Sequence, residues 1–233
     1  MRKRVLACAS VLAGAALLVA CSHTATRADV NKEAAEAQSR VDSATAVVER
    51  MKAEPTTAAL LSKARGVLIV PDYGKGAWIV GGQGGAGVLM LRHHGEWGQP
   101  AFYILGGLSI GLQAGGEVGP IAMVLMSDKA VEAFETHSSR WSLGADAGLT
   151  VVNTSEHADI VGTTPPADVV VWLGTKGLYG GLSVGASDMT PQESLDNAYY
   201  HRLVTLHDIM VGNVSNPGAA PLRTALTTRV AQQ

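Results

Sequence analysis

Residues 82–87 (GQGGAG) have the spacing of a nucleotide-binding loop. They match the G-x-G-x-x-G fingerprint, in which glycines let the backbone approach a pyrophosphate at the N-terminus of a helix. The residues that follow, 88–91 (VLML), have the composition of a strand rather than of a helix. About twenty residues further on, where an acidic residue would bind the ribose, the sequence is GGLS. We therefore predict that residues 82–87 enter a strand and bind no nucleotide.

The motif G-x-S-x-G, which forms the nucleophile elbow of α/β-hydrolases, occurs around Ser109 and again around Ser183. An elbow needs a strand that ends at the serine and a helix that starts directly after it. In both copies the two-residue alternation of a strand continues through the serine instead. This pattern favours two continuous strands, and it leaves a serine hydrolase as the third of our functional hypotheses.

Two adjacent histidines, His93 and His94, are the most obvious candidates for a metal site. Neighbouring side chains of a strand point to opposite faces, and histidines in a turn are usually solvated. Glu96 is the only acidic residue close to them in the sequence. We expect no metal site, no cofactor and no catalytic residues here.

The glycines call for a structural explanation, because the blocks GGLSIG and GGLSVG are near copies on amphipathic strands. Glycine inside a strand marks a bulge, a bend or the close approach of another element. We interpret Gly82, Gly84, Gly106 and Gly180 as members of a small-residue packing face. The element that covers this face is then the N-terminal helix, a helix near residues 191–200, or an acyl chain.

The N-terminus has the features of a bacterial lipoprotein signal. Basic residues 2–4 precede the uncharged residues 5–20, which are too short for the roughly 20 residues of a membrane-spanning helix. The ending LVAC resembles a lipobox, which implies cleavage before Cys21 and acylation of Cys21, palmitate included; an ordinary secretory signal is the alternative. Because Ser22 rather than aspartate follows, we expect an outer-membrane lipoprotein of the bacterial cell envelope, facing the periplasm or the exterior.

The charge and the cysteine content exclude further classes of partner and site. The formal net charge is −2, and removal of the basic residues 2–4 makes the chain more acidic, so the sequence has no basic footprint for nucleic acid. Of the two cysteines, Cys8 lies in the predicted signal and Cys21 carries the predicted lipid. No disulfide or thiolate metal site is therefore expected in the mature chain.

Hydrophobic periodicity predicts a single α+β domain. The apolar residues of 29–53 recur at helical spacing and form one stripe, which docks on the core or, alternatively, lies on a membrane surface. From Gly66 the period changes to two, and strands follow one another without helices between them, which predicts a largely antiparallel sheet. Further helices are predicted from Asp128 to about Thr136 and from a capping box at residues 190–193, with helical spacing continuing to Met210. The glycine-rich sheet is thus packed by N-terminal and C-terminal helices.

Several blocks of sequence resemble the SYLF domain in order and spacing. They are residues 63–71 (KARGVLIVP), 81–89 (GGQGGAGVL), 97–103 (WGQPAFY), 111–115 (GLQAG), 176–184 (KGLYGGLSV) and 197–200 (NAYY). We accordingly divide the chain into a signal peptide (1–20), a lipidated N-terminus with a helical segment (21–55), a SYLF-like domain (56–212) and a loop-like tail with a short helix (213–233).

The resemblance implies a non-enzymatic module that binds membrane phospholipid. The basic residues beside the glycine-rich blocks are then the candidate headgroup contacts: Lys63, Arg65, Lys75 and Lys176. A structural or protein-interaction lipoprotein of the outer membrane, with an envelope protein as its partner, is the alternative.

Overall fold

The computed structural model describes residues 27–74, 84–106, 119–142, 151–153, 167–174 and 188–227. Cys21, the strand that the apolar residues at 77–80 predict and the strand predicted through Ser183 lie outside the described residues. The helices are α1 (Arg27–Lys52), α2 (Pro55–Lys63), α3 (Asp128–Thr136), α4 (Glu193–Tyr199), α5 (Leu206–Met210) and α6 (Ala220–Thr227). The strands are β1 (Gly66–Val70), β2 (Gly84–His93), β3 (Glu96–Trp97), β4 (Ala101–Gly106), β5 (Ile121–Leu125), β6 (Trp141–Ser142), β7 (Val151–Asn153), β8 (Val169–Leu173) and β9 (Asp188–Pro191).

The described strands form one sheet in the order β6-β9-β4-β2-β1-β5-β8-β7, with β3 paired to β2. Every pairing is antiparallel except that of β7 with β8. The prediction of a largely antiparallel sheet in an α+β domain is therefore confirmed.

Helices cover both faces of this sheet. Every residue of β1 and of β5 is buried, as expected for strands that have neighbours on both faces. The ring of Phe102 packs edge to face against Tyr199 of α4, whereas the ring of Tyr103 packs in the same way against Phe134 of α3. Because consecutive residues of a strand point to opposite faces, α4 and α3 lie on opposite sides of the sheet.

Helix α1 docks on the core, which settles the question of its predicted apolar stripe. Six of its side chains are buried: Ala37, Val41, Ala44, Val47, Val48 and Met51. They pack mainly against α4 and α6, with further contacts to β2 and β1. No residue before Ala37 in the described part of α1 is buried, so its first turns extend beyond the core.

Two predicted helix boundaries differ from the structure. Thr56 and Thr57 are residue types that cap helices and so predict the start of α2 at one of them, but the helix starts at Pro55, whose fixed φ angle suits the first helical position. The capping box predicted at residues 190–193 is wrong. Thr190 and Pro191 belong to β9, which pairs with Ile104 and Tyr103, so α4 starts only at Glu193. Pairing with a strand distant in the sequence overrides the local capping signal.

The predicted continuation of helical spacing to Met210 is also wrong, because the chain turns between α4 and α5. His201 has a φ of 53°, in the left-handed region that ends helices. Leu203, whose helical spacing from α4 predicts a buried position, is 87% exposed. The following helix has its own capping box, formed by Thr205 and Asp208.

The two turns on either side of α5 wrap around the sheet where β3 ends and β4 begins. We call this place the Pro100 edge (residues 98–100). On one side, the Tyr200 hydroxyl donates to the Pro100 carbonyl at 2.6 Å. On the other side, the backbone N–H of Asn216 donates to Gln99 Oε1 at 3.1 Å. The chain thus passes from the face of α4 to the opposite face, where Ile209 and Met210 lie beside Leu89 and Ala101, and then returns.

Helix α1 passes the Pro100 edge at Gln38 and then crosses the sheet. Gln38 Nε2 donates to the Gly218 carbonyl at 3.2 Å, two residues from the Asn216 contact with that edge. Twelve residues later, Arg50 donates to the Gly174 carbonyl at 2.6 Å, directly after β8 on the other side of β2, β1 and β5. The last helix, α6, packs beside α1, and Trp97 Nε1 donates to the Leu226 carbonyl at 3.1 Å.

Candidate functional site

Two of the four predicted headgroup contacts lie together where β1 begins. Lys63 is the last residue of α2 and is exposed. Arg65 precedes β1, with its backbone amide bonded to the Leu125 carbonyl at 2.8 Å. Its side chain is 52% exposed and pairs with Asp128, at 2.6 Å between Arg65 Nη1 and Asp128 Oδ1. An exposed pair of this kind contributes at most about 1 kcal/mol to stability, so the guanidinium remains accessible to another anion.

Arg92 is a third cation at this site, and the sequence reasoning did not select it. Its backbone amide donates to the Arg65 carbonyl at 2.7 Å, and its Nη1 donates to the Ser62 carbonyl at 3.2 Å. Its guanidinium lies over the ring of Trp97, 4.5 Å from the centroid. Burial lowers the pKa of Arg92, while Glu96 acts in the opposite direction. The signal that could have found it is the R-x-x-x-x-W spacing across a two-residue turn.

Lys63 and Arg65 offer two exposed cations to an anion, while Arg92 bonds the Ser62 and Arg65 carbonyls and so holds the segment that carries them. Among the described residues, Arg92 Nε is buried without a hydrogen-bond acceptor. The backbone hydrogen bonds of Arg65 and Arg92 fix the spacing of their side chains, whereas the flexible stem of Lys63 can adapt. Lys75 and Lys176, the other predicted contacts, lie outside the described residues.

The described glycines of the G-x-G-x-x-G motif, Gly84, Gly85 and Gly87, lie in strand β2, as predicted. Gly84 opens β2 and lies directly opposite Gly106 of β4, so the register brings two of the predicted glycines together. Among the described atoms, only Asp188 Cβ, at 4.0 Å, comes near the position that a β-carbon of Gly106 would take. Gly82 and Gly180 lie outside the described residues.

Within this glycine-rich block, the backbone approaches most closely at two glycines that we did not select, Gly85 and Gly87. A β-carbon on Gly85 would lie 2.5 Å from Val70 Cγ1 and 2.8 Å from the Asp72 carbonyl oxygen. One on Gly87 would lie 2.8 Å from the Ile69 carbonyl oxygen. The covering element here is the chain's own segment at the end of β1, rather than a helix or an acyl chain. Gly74 fixes that segment by donating from its amide to the Gly84 carbonyl at 3.0 Å.

Asp196 is the one buried carboxylate among the described residues, at 2% exposure. Its Oδ1 accepts a hydrogen bond from the Phe102 amide at 3.0 Å, which joins α4 to β4. Burial raises the pKa of Asp196 to about 7; the hydrogen bond opposes this shift and the nearby Glu193 adds to it. Burial also raises the pKa of the neighbouring Tyr103, Tyr199 and Tyr200.

The described residues contain no group of three histidine, cysteine or acidic side chains that could hold a metal ion. His94 lies exposed in the turn between β2 and β3, with a φ of 50°, as expected for a solvated turn residue. Ser109 and Ser183 lie outside the described residues. Within the same described ranges, none of the helices is both long and apolar enough to span a bilayer.

Comparison with known proteins places the chain in a family. The family model described as "Ysc84: Las17-binding protein actin regulator" matches residues 106–229. SH3 domain-containing YSC84-like protein 1 of Bos taurus is 26% identical over 163 residues, which are 69% of this chain and 47% of the relative. Protein YSC84 of Saccharomyces cerevisiae is 27% identical over 175 residues, 73% of this chain and 37% of the relative. The chain thus spans half or less of the length of these curated relatives.

No solved structure matches the chain. The family model covers more than half of the residues and includes β5, β8 and the C-terminal helices α4–α6. The chain therefore belongs to the Ysc84/SYLF family.

Proposed function

We propose that this protein is a non-enzymatic, lipid-anchored protein of the bacterial cell envelope that binds phospholipid through its SYLF domain. Three observations support the proposal. The sequence before Cys21 resembles a lipoprotein signal, the SYLF resemblance implies phospholipid binding, and the family description and the relatives' names denote regulators or domain-containing proteins rather than enzymes. In this proposal acylation of Cys21 holds the protein at the outer membrane, facing the periplasm or the exterior.

The observation that carries the proposed activity is the cluster of Lys63, Arg65 and Arg92. A phospholipid phosphate can accept hydrogen bonds from the exposed amine of Lys63 and from the Arg65 guanidinium, which gives charge-assisted contacts of about 1.5–3 kcal/mol each. Arg92 bonds the Ser62 and Arg65 carbonyls and thereby holds the end of α2 against the start of β1.

Vesicle flotation of residues 22–233 tests this activity. We expect binding to vesicles that contain phosphatidylglycerol, weaker binding to phosphatidylcholine alone, and loss of binding with rising salt, since surface charges are screened. The variant Lys63→Gln/Arg65→Gln should lose most of the binding. Lys52→Gln, which removes a cation at the last residue of α1, should keep the vesicle binding. Absence of binding to every vesicle composition would reject the proposed activity.

The second candidate is a lipoprotein that binds another protein. The specific observation in its favour is the description of the family as Las17-binding and as an actin regulator. A domain that captures an envelope protein in a pull-down, and that ignores vesicles, would favour this function over phospholipid binding.

A hydrolase acting through Ser109 or Ser183 remains a prediction without a described site. Labelling with a fluorophosphonate probe separates it from both binding functions, because such probes react only with activated serines. An unlabelled protein, with a known serine hydrolase labelled in parallel, would end this hypothesis.

A further inference from the structure

Among the described residues, two large apolar side chains are exposed, and both lie at the Pro100 edge. Leu203 is 87% exposed and Val211 is 51% exposed. Single exposed apolar residues are ordinary on protein surfaces. Here, however, both lie on the two turns that flank α5 and wrap around the same edge of the sheet.

These turns are held in place, so the exposure of Leu203 is a property of the fold. The Val204 amide donates to Asn197 Oδ1 at 2.7 Å, and Val204 itself is buried. The Thr205–Asp208 capping box fixes the next residues. On the other turn, the Asn213 amide donates to the Asp208 carbonyl at 2.9 Å. Leu203 and Val211 are therefore presented outward by turns whose backbones are bonded to the domain.

The predicted lipid anchor precedes α1, whose contact with the domain at Gln38 lies beside this edge. The helix meets the domain at Gln38, which bonds to Gly218 beside the Pro100 edge. Ten helical residues before Ala37 span about 15 Å, and the six steps from Cys21 to Arg27 add at most about 20 Å. The far end of α1, where Arg50 contacts Gly174, lies twelve helical residues further from the anchor, on the other side of β2, β1 and β5.

The charges on the turns suit a bilayer interface. Arg202 is exposed next to Leu203, and the carboxylate of Asp208 is occupied by the Thr205 amide and hydroxyl. An apolar side chain beside an arginine can enter the acyl region while the guanidinium stays among the phosphates.

We propose that the Pro100 edge is the surface that docks on the membrane, with Leu203 and Val211 entering the bilayer interface beside Arg202. This proposal rests on the proposed function and adds to it the orientation of the domain and its membrane-inserting residues. The occupant is the phospholipid bilayer to which Cys21 is anchored, rather than a second copy or another protein.

A single labelled cysteine tests the proposal. Residues 22–233 contain no cysteine and include every described helix and strand. Leu203→Cys, labelled with an environment-sensitive NBD dye, should show a blue shift and increased emission with vesicles of phosphatidylethanolamine and phosphatidylglycerol. Ala53→Cys, labelled in the same way in the exposed turn after α1, should show no change.

Flotation of Leu203→Ser/Val211→Ser gives the second measurement. Because both side chains are exposed, the variant should keep its thermal unfolding midpoint while its vesicle binding falls by roughly tenfold or more. Wild-type binding with an unchanged Leu203 label, or an equal response at Ala53, would overturn the docking surface while leaving phospholipid binding intact. Failure of the wild-type protein to bind any vesicle would reject both proposals together.

Discussion

Gly85 lies beneath the carbonyl oxygen of Asp72, so closely that a β-carbon at residue 85 would be only 2.8 Å from that oxygen. The neighbouring Val70 methyl group would be closer still, at 2.5 Å. The backbone after β1 therefore requires glycine at residue 85. We predict that Gly85→Ala lowers the free energy of unfolding by about 1–3 kcal/mol, the usual cost of overpacking a core, as measured by urea denaturation.

Gly106→Ala is the matched control on the facing strand. Among the described atoms, the nearest one lies 4.0 Å from its β-carbon position, an ordinary van der Waals contact. We expect this variant to change the free energy of unfolding by no more than about 0.5 kcal/mol. Equal destabilisation by the two substitutions would contradict a specific requirement for glycine at residue 85.

Asp196 should make the stability of the domain fall as pH rises. Its pKa is about 7 in the folded protein against an ordinary value of 3.8, so the folded chain binds a proton that the unfolded chain has released between these values. Stability from this group is complete below about pH 4 and is lost as pH rises through 7. Asp196→Asn keeps an acceptor for the Phe102 amide but carries no charge. Between pH 4 and 8 the variant should gain more than about 1.4 kcal/mol relative to wild type, the value of one pKa unit. A difference in unfolding free energy that stays constant over this range would exclude a buried, titrating Asp196.

The C-terminal helix should be essential for folding. Leu222, Ala225 and Leu226 of α6 are buried, and Leu226 accepts the hydrogen bond of the Trp97 indole. A chain that ends at residue 212 exposes the partners of these side chains and leaves the indole unpaired. We expect it to unfold at least about 3 kcal/mol more easily, or to aggregate, whereas a chain that ends at residue 227 keeps its thermal midpoint. Circular dichroism during heating distinguishes the two.

Cys21 should determine where the protein is found. With Cys21→Ser the predicted lipid acceptor is lost, so expression in a bacterial host should move the protein from the membrane pellet to the soluble periplasmic fraction. Incorporation of labelled palmitate should disappear at the same time. Membrane association and labelling that are unaffected by the substitution would reject the lipoprotein assignment.

The parts of the fold that follow from local periodicity could be predicted from the sequence, and α1 is the clearest case. Its apolar residues recur at three and four positions, and Ala37, Val41, Ala44, Val48 and Met51 are indeed buried. The apolar runs at residues 67–70, 121–126 and 168–173 likewise predict strands, which agree with β1, β5 and β8 within one residue at each end. The start of α4 was not, because Thr190 and Pro191 pair with a strand far away in the sequence.

In the candidate site, too, some residues can be identified from the local sequence and others only from the fold. Lys63 and Arg65 could be selected because they lie beside a conspicuous block of sequence. Arg92 could not, since its role depends on the turn that brings Trp97 beneath it. Gly85 was missed for a related reason: the pattern shows many glycines, but only the path of residues 69–73 decides which of them has no room for a β-carbon. The helical spacing predicts a buried Leu203, because no local feature of the sequence indicates the left-handed turn at His201.

The packing of α1 against α4 and α6 has a consequence for biogenesis. The first described helix cannot bury its apolar stripe until the last one has been synthesised, because the two are neighbours in space and lie at opposite ends of the chain. Contacts of such long sequence separation slow folding and leave apolar surface exposed meanwhile. In the export that we propose for this protein, α1 would therefore keep its apolar stripe exposed until α6 has left the translocon.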